Sequence, residues 1–384
     1  MVYLHNLLLF VFLFCLTLLI SPNKTQAIVD PLSYDNNKIG IHILFTEELE
    51  DATKLINSNG GDWGYVTIPI QAGDKDLVKW QNFMDSAKQN HVIPIIRLTT
   101  EGDYFTTSFW RKPNFSDVLD FANFLDSLEW PTANRYVVVF NEPNRNDEWG
   151  GEANASEYAK ILNYAVEAFK SKNEDFFIIS AGMDNASENS QYVFMQEMHN
   201  AEPKVFNQID GIGSHSYPNP GFSQPPSVNT GKSVSSFVYE KRLADFLSGK
   251  DLPVFITETG WSSNTTAKHL IARYFVESFE TVWSGNDIVA VTPFLFNAGA
   301  GPFTQFSLFD GNGERNEVYM AIADIPKTQG GPKLAKAMPT IKEHLNNEDL
   351  PTKDFLHYTQ LHNASDVNDK VATAVGLIKW ILRI

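Results

Sequence analysis

Cysteine is nearly absent: the 384 residues contain one, Cys15, inside an apolar N-terminal stretch. A chain with a single thiol forms no internal disulfide and no cysteine-based metal site, so its fold must rest on a hydrophobic core. Positive charge is also scarce. Lys and Arg number 30 against 46 Asp and Glu, a formal charge of −16. No basic stripe runs along the chain, which argues against nucleic acid and anionic membrane as partners. No Gly-x-Gly-x-x-Gly or Gly-x-x-x-x-Gly-Lys-Ser/Thr motif follows the early strand candidates, which removes the usual nucleotide-binding folds. A membrane-spanning run is missing too. Leu7–Ile20 is uncharged and largely apolar but only 14 residues long, against the about 20 that a spanning helix needs.

That run has the length of a signal-peptide core, and Thr25-Gln26-Ala27 supplies small residues where a signal peptidase cuts. Residues 1–27 therefore read as an export signal or, uncleaved, as an N-terminal membrane anchor. The segment before the run has no Lys or Arg, only the terminal amine and His5. Phe14 precedes Cys15 where lipid attachment requires a small residue. Six Asn-x-Ser/Thr sequons occur, at Asn23, Asn114, Asn154, Asn185, Asn264 and Asn363, as chance allows in a chain rich in Asn and Ser.

The hydrophobic content of 43% suffices for a substantial core. From residue 38, short apolar runs alternate with longer amphipathic ones. The strand candidates are 38–45, 64–70, 92–98, 136–142, 176–181, 211–216, 253–258 and 288–296. Helices are predicted over 47–57, 76–90, 116–128, 155–172, 191–201, 233–247 and 267–284. Strict alternation implies parallel strands with right-handed crossovers. Eight units within about 300 residues favour a closed (β/α)₈ barrel over an open sheet. The barrel is expected over 28–325, followed by a C-terminal extension, 326–384. That extension holds a Lys/Gly/Pro-rich connection, a closing helix over 340–347 and an apolar tail helix over 371–384, read as a cap on the barrel floor or an interfacial anchor. Asn312-Gly313 reads as a hairpin turn, since Asp310 to Glu314 lacks the spacing of a calcium loop.

Two stretches carry the chemistry. Val137-Val138-Val139-Phe140-Asn141-Glu142-Pro143 and Val254-Phe255-Ile256-Thr257-Glu258-Thr259-Gly260-Trp261 are apolar, β-branched runs that each end in a glutamate. Strands buried on both faces read this way, and a carboxylate at the C-terminal end of such a strand sits where α/β barrels build active sites. Strands 4 and 7 lie across the lumen from one another. Two carboxyls facing a sugar from opposite sides are the minimum equipment for glycoside hydrolysis, about 5–5.5 Å apart in the retaining route. The charge of Glu258 is expected to raise the pKa of Glu142 and keep its proton available. Pro143 is expected to hold Glu142 in extended backbone.

Asn141-Glu142-Pro143, Thr257-Glu258-Thr259-Gly260-Trp261 and the strand 6 sequence His215-Ser216-Tyr217 together resemble the signatures of clan A glycoside hydrolases, over residues 30 to 325. The resemblance implies that Glu142 is the general acid/base and Glu258 the nucleophile. It implies that Asn141 bonds the sugar 2-hydroxyl, that Tyr217 donates to Glu258, and that His215 reaches a substrate hydroxyl or the acid/base. The chain departs from the pattern twice. Strand 2 lacks the arginine many members carry beside the nucleophile; Arg97, ending strand 3, either replaces it or forms a structural salt bridge. Strand 8 offers Phe294, Phe296 and Asn297 in place of a tryptophan floor. Tyr104, Phe105, Trp110, Trp149 and Trp261 are candidate sugar platforms.

The expected activity is retaining hydrolysis of β-linked oligo- or polysaccharides, without metal or other cofactor, in a secreted or membrane-anchored protein. Membrane contact is expected only through the N-terminal segment or the C-terminal apolar helix. The stretch around Glu258 is similar to the nucleophile strand of endo-β-1,3-glucanases, and an endo-acting enzyme needs an open groove. The alternative is a catalytically silent barrel that binds carbohydrate. A metallohydrolase reading lacks a His/Asp cluster at the strand ends.

Overall fold

The computed structural model describes residues 28–336. The expected signal or anchor segment, the closing helix over 340–347 and the tail over 371–384 lie outside the described residues.

Eight parallel strands succeed one another: β1 (Gly40–His42), β2 (Gly64–Gln71), β3 (Val92–Thr99), β4 (Arg135–Val139), β5 (Phe176–Ser180), β6 (Ile212–His215), β7 (Val254–Glu258) and β8 (Ile288–Val291). They pair in sequence order as a five-stranded and a three-stranded sheet. Parallel bridges from Ile179 to Gly211 and from Ile39 to Val291 join the two sheets, and the ring closes into a (β/α)₈ barrel. The crossovers are helical: α1 (Leu49–Ile56), α2 (Leu77–Gln89), α3 (Phe115–Asp126), α4 (Ala155–Lys172), α5 (Gln191–Ala201) with the short α6 (Val205–Gln208), α7 (Ser236–Ser248), and α8 (Lys268–Glu277) continued by a π-helical turn over Ser278–Val282. Asp76, Asn114 and Asn154 start α2, α3 and α4 by accepting backbone N–H groups that have no partner inside the helix. A ninth helix, α9 (Glu317–Asp324), follows β8, capped by Asn316. The sequence reading has no helix there, because eight residues span little more than two turns and display no sustained periodicity.

The apolar residues sort into two layers by strand parity. Val66, Ile68, Ile96, Val137, Val139, Ile178 and Ile256 face the helices, packing against residues such as Trp80, Phe121 and Phe169. Tyr65, Ile93, Ile95, Tyr136, Val138, Phe177, Ile179 and Phe255 fill the lumen. Above this plug the inward positions turn polar: His42, Thr67, Arg97 and His215 are all buried. Past residue 325 the chain bridges from Gln329 to Asp62 and from Leu334 to Thr132, ahead of β2 and β4 on the barrel floor.

Two departures from regular strands position the glutamates. On β7, alternation from Phe255 puts Thr257 inward and Glu258 outward. The β6–β7 register slips between Ser214 and His215, however, so His215 pairs with Glu258. Thr257 is the surplus residue of this bulge, and Glu258 turns into the lumen; bulges that re-aim a side chain concentrate beside active sites. On β4, the expected strand to Glu142 ends instead at Val139. The Tyr158 hydroxyl of α4 donates to the Val139 carbonyl at 3.1 Å and accepts from the Ala181 N–H at 2.6 Å, closing the ladder there. Phe140 and Glu142 then adopt positive φ, 67° and 34°. The extended backbone expected for Glu142 ahead of Pro143 is thus not what the chain adopts. The Glu142 N–H reaches the Gly182 carbonyl at 3.2 Å, and its carbonyl accepts from the Arg145 N–H at 2.9 Å. These bonds hold a conformation that a side chain seldom takes unaided.

Candidate active site

Glu142 and Glu258 meet at the C-terminal mouth of the barrel, both buried. Each is held by a different set of donors. Arg97 Nη1 donates to Glu258 Oε1 at 2.5 Å and to Asn141 Oδ1 at 2.6 Å. The Tyr217 hydroxyl donates to Glu258 Oε2 at 2.9 Å. His42 lies behind, its Nε2 3.6 Å from Glu258 Oε1. Burial, Arg97 and His215 hold the His42 imidazole well below the usual histidine range, so it is neutral. Burial, then the charges of Glu258 and Glu142, push the Tyr217 phenol far up, so it remains a donor.

Glu142 is gripped at both oxygens. His215 Nδ1 lies 2.7 Å from Oε1, and Arg145 Nη1 donates to Oε2 at 3.1 Å. Arg145 is itself fixed by Asp147, which accepts from Nε at 3.0 Å and from the other terminal nitrogen at 2.6 Å. Asn144, fully buried, ties this turn to the loop after β5 by donating to the carbonyls of Asp184 and Asn189. Burial raises the pKa of Glu142, but Arg145 and the His215 hydrogen bond outweigh it and hold the carboxyl below its ordinary value. This corrects the expectation that Glu258 keeps Glu142 protonated: the repulsion exists but is the smallest contribution. Burial lowers the pKa of the His215 imidazole, but Glu258 and then Glu142 outweigh it and raise it. Glu142 and His215 thus form a coupled pair, with Oε1 and Nδ1 2.7 Å apart.

The two carboxyls and His215 each offer an atom within 4.8 Å of the others. Such a trio could grip a cation, but Arg97 and Arg145 already pair with the same two carboxylates through their other oxygens. The two carboxyls thus approach at their nearest oxygens more closely than the about 6.5–9.5 Å that separates the carboxyls of inverting glycosidases.

A cavity of about 350 Å³ opens above the pair, lined by residues from the C-terminal end of, or the loop after, every strand except β2. Arg97, Asn141, Glu142, Tyr217 and Glu258 face it, and His215 stands behind Glu142. Of the aromatic candidates, Tyr104, Phe105, Trp110 and Phe294 line it. The structure places three expected substrate contacts elsewhere. Trp261 is buried against Phe275 and Trp283 with its indole N–H on the Gln224 carbonyl. Phe296 packs on Phe309 and Tyr319, and Asn297 is exposed outside the cavity. Trp149 also belongs to the core, edge-on to Tyr158. Asn312-Gly313 forms the turn of a short hairpin, with Phe309 bridged to Arg315.

Sequence reasoning missed Arg145, Glu148, Asp184 and Phe303, which also line the cavity. Arg145 carries the one legible signal, a cation three residues after the acid in a turn rich in Asn and Asp. Glu148 is a third carboxyl at the site; burial and the charge of Glu142 push it up to about 7.

Because Glu142 must hold a proton to act as acid, and Arg145 disfavours that proton, Arg145→Gln is expected to move the alkaline limb of kcat/KM to higher pH by at least about half a unit. A pH–rate profile on an aryl β-glycoside measures it. A limb that stays put or moves down contradicts the assigned role of Arg145.

No family model matches this chain, and no curated protein sequence does. Solved structures do match in shape. A family 39 glycoside hydrolase from Bacteroides cellulosilyticus WH2 superposes with a TM-score of 0.53 at 17% identity, over 79% of this chain and 65% of its own length. A GH5_18 protein from Bifidobacterium longum subsp. infantis gives 0.54 at 14% identity, over 76% and 78%. A GH128 (subgroup II) endo-β-1,3-glucanase from Sorangium cellulosum gives 0.50 at 15%, over 75% and 98%. The chain thus spans just under two thirds of the first of these and most of the other two. At such identities the likeness speaks for architecture: this chain shares the (β/α)₈ fold of these glycoside hydrolases.

Proposed function

We propose that the protein is a retaining β-glycosidase acting by double displacement. The observation that carries this reading is the pair of buried carboxyls with oxygens within 4.8 Å, each held by a different set of donors. Glu258, fixed by Arg97 and Tyr217, presents a carboxylate to the anomeric carbon and forms the glycosyl–enzyme ester. The leaving oxygen takes a proton from the Glu142–His215 pair. Water then enters on the Glu142 side, gives its proton back to that pair, and its oxygen attacks the anomeric carbon. The Glu258–sugar bond breaks, and the configuration is retained. Once Glu258 is esterified its charge is gone, and Arg97 keeps Asn141 as partner, aimed at the sugar.

NMR of the first-formed product tests the reading on a panel of β-linked glycans, before mutarotation mixes the anomers. The β-anomer is expected. An α-anomer first would make the enzyme inverting. Turnover of no panel member, with sugar binding intact, would leave a carbohydrate-binding barrel.

A further inference from the structure

The walls of the cavity differ in kind from side to side. On the flank formed by the loops after β8, β1 and β3 they are largely aromatic and joined to one another. Phe303, after β8, lies 6.3 Å centroid to centroid from Phe105, after β3. Gly301 approaches so closely that a Cβ there would come within 3.1 Å of the Phe105 side chain, and its φ of +78° suits glycine alone. Phe45, after β1, meets Phe105 at 6.4 Å and Tyr104 at 6.2 Å. The end of β2 is tied in by Gln71, whose amide donates to the Gly102 carbonyl at 2.6 Å. Phe294 backs Phe303 edge-on at 5.1 Å. The loops after β8, β1 and β3 thus make one wall, with the end of β2 bonded to it. The opposite flank, after β4 and β5, is charged, with Arg145, Asp147, Glu148 and Asp184.

Glu142 belongs to the charged flank, and an acid catalyst stands beside the leaving group. The part of the glycan that departs therefore lies over β4 and β5, and the part that is kept points at the aromatic wall. A chain threading the site from end to end would have to pass between Phe105 and Phe303. The volume of about 350 Å³ lies near the lower end of the roughly 300–1,000 Å³ usual for small-molecule sites, room for a short glycone.

We propose that the site is a blind pocket that seats the non-reducing end of a β-linked glycan, so that hydrolysis removes short units from that end. This rests on the glycosidase reading above. It departs from the open groove that the likeness around Glu258 to endo-acting enzymes suggests.

Hexasaccharides of β-1,3-glucan, β-1,4-glucan, β-1,4-xylan and β-1,4-mannan, labelled at the reducing end, test it. Each is supplied with its non-reducing terminal unit free or capped by a benzyl ether. Progressive shortening of the free form is expected, with the label retained on the remnant. The cap should lower kcat/KM at least about 100-fold, because it meets a wall rather than solvent. The Phe105→Ala/Phe303→Ala double variant should shrink that penalty to below about 10-fold. Internal cleavage of capped substrate at a similar rate overturns the pocket.

Calorimetric titration with the same pairs separates the two readings. If nothing is cut but only free-ended sugars bind, the pocket stands and the hydrolase reading falls. If capped and free forms bind alike, the pocket falls whatever the turnover. Absence of both binding and cleavage across the panel overturns both.

Discussion

Glu258→Ala is expected to lower kcat on its best β-glycoside by about 10⁴-fold or more, the scale seen when a residue that acts covalently is removed. The site offers no substitute. Glu148 and Asp184 belong to the loops after β4 and β5, with Glu142, and not to the β7 side from which Glu258 faces the cavity. Added azide should restore turnover in this variant by entering the vacated space and attacking from the nucleophile's face. The product is then the α-glycosyl azide. In Glu142→Ala, with the nucleophile intact, azide attacks the glycosyl–enzyme from the other face and gives the β-azide. The configuration of the azide identifies each role independently of rate. Circular dichroism and a thermal melt on both variants separate lost chemistry from lost fold. A loss below about 10-fold in Glu258→Ala would remove the covalent step from the proposal.

Arg97→Ala should have the next largest effect, about 200- to 5,000-fold in kcat/KM, if the 3–5 kcal/mol that loss of one partner from a buried ion pair costs is expressed in the transition state. Two acceptors depend on the same nitrogen, Glu258 Oε1 and Asn141 Oδ1. The variant therefore frees the nucleophile and the residue assigned to the 2-hydroxyl together. Arg97→Lys should rescue little, since a single ammonium on a flexible stem does not reproduce the planar fork. Substrates lacking the 2-hydroxyl should lose less on mutation than their parents, because half of what Arg97 positions is then idle. Equal losses on both would assign Arg97 to Glu258 alone.

Much of this architecture was legible in the chain because burial leaves strong traces. A parallel strand covered on both faces must be apolar throughout, so all eight were visible, and β2, β3 and β5 fell within a residue or two of expectation. α4 and α5 matched in full because each runs for several turns with a sustained apolar stripe. The pairing of Arg97 with Glu258 was one of two open possibilities, and the geometry gives both at once: an ion pair that is also part of the cavity lining. What could not be read depends on relations between distant segments. Tyr158 ends β4 from a helix 19 residues on. The sign of the Glu142 shift turns on Arg145 and His215, which meet its two oxygens, a matter of side-chain placement and not of spacing. Trp261 and Phe296 were assigned to sugar because aromatics after a strand resemble platforms. Each instead closes a gap behind the site, where the α8 and α9 helices leave space for a large ring.

Thr257 sits one step out of phase with the strand that carries it, and the phase error makes Glu258 available to the lumen. Excising that single residue would restore even alternation and leave the carboxylate in the lumen, whereas straightening the strand with Thr257 retained would swing it into the helix layer, where Val254 and Ile256 now pack. A barrel designed on unbroken alternation would need its acid at position 257 instead. A sequence alignment that admits no one-residue gap within β7 would pair Glu258 with an outward residue of an unbulged relative. Ancestry between such barrels can thus be hidden by one inserted threonine even where the chemistry has been kept.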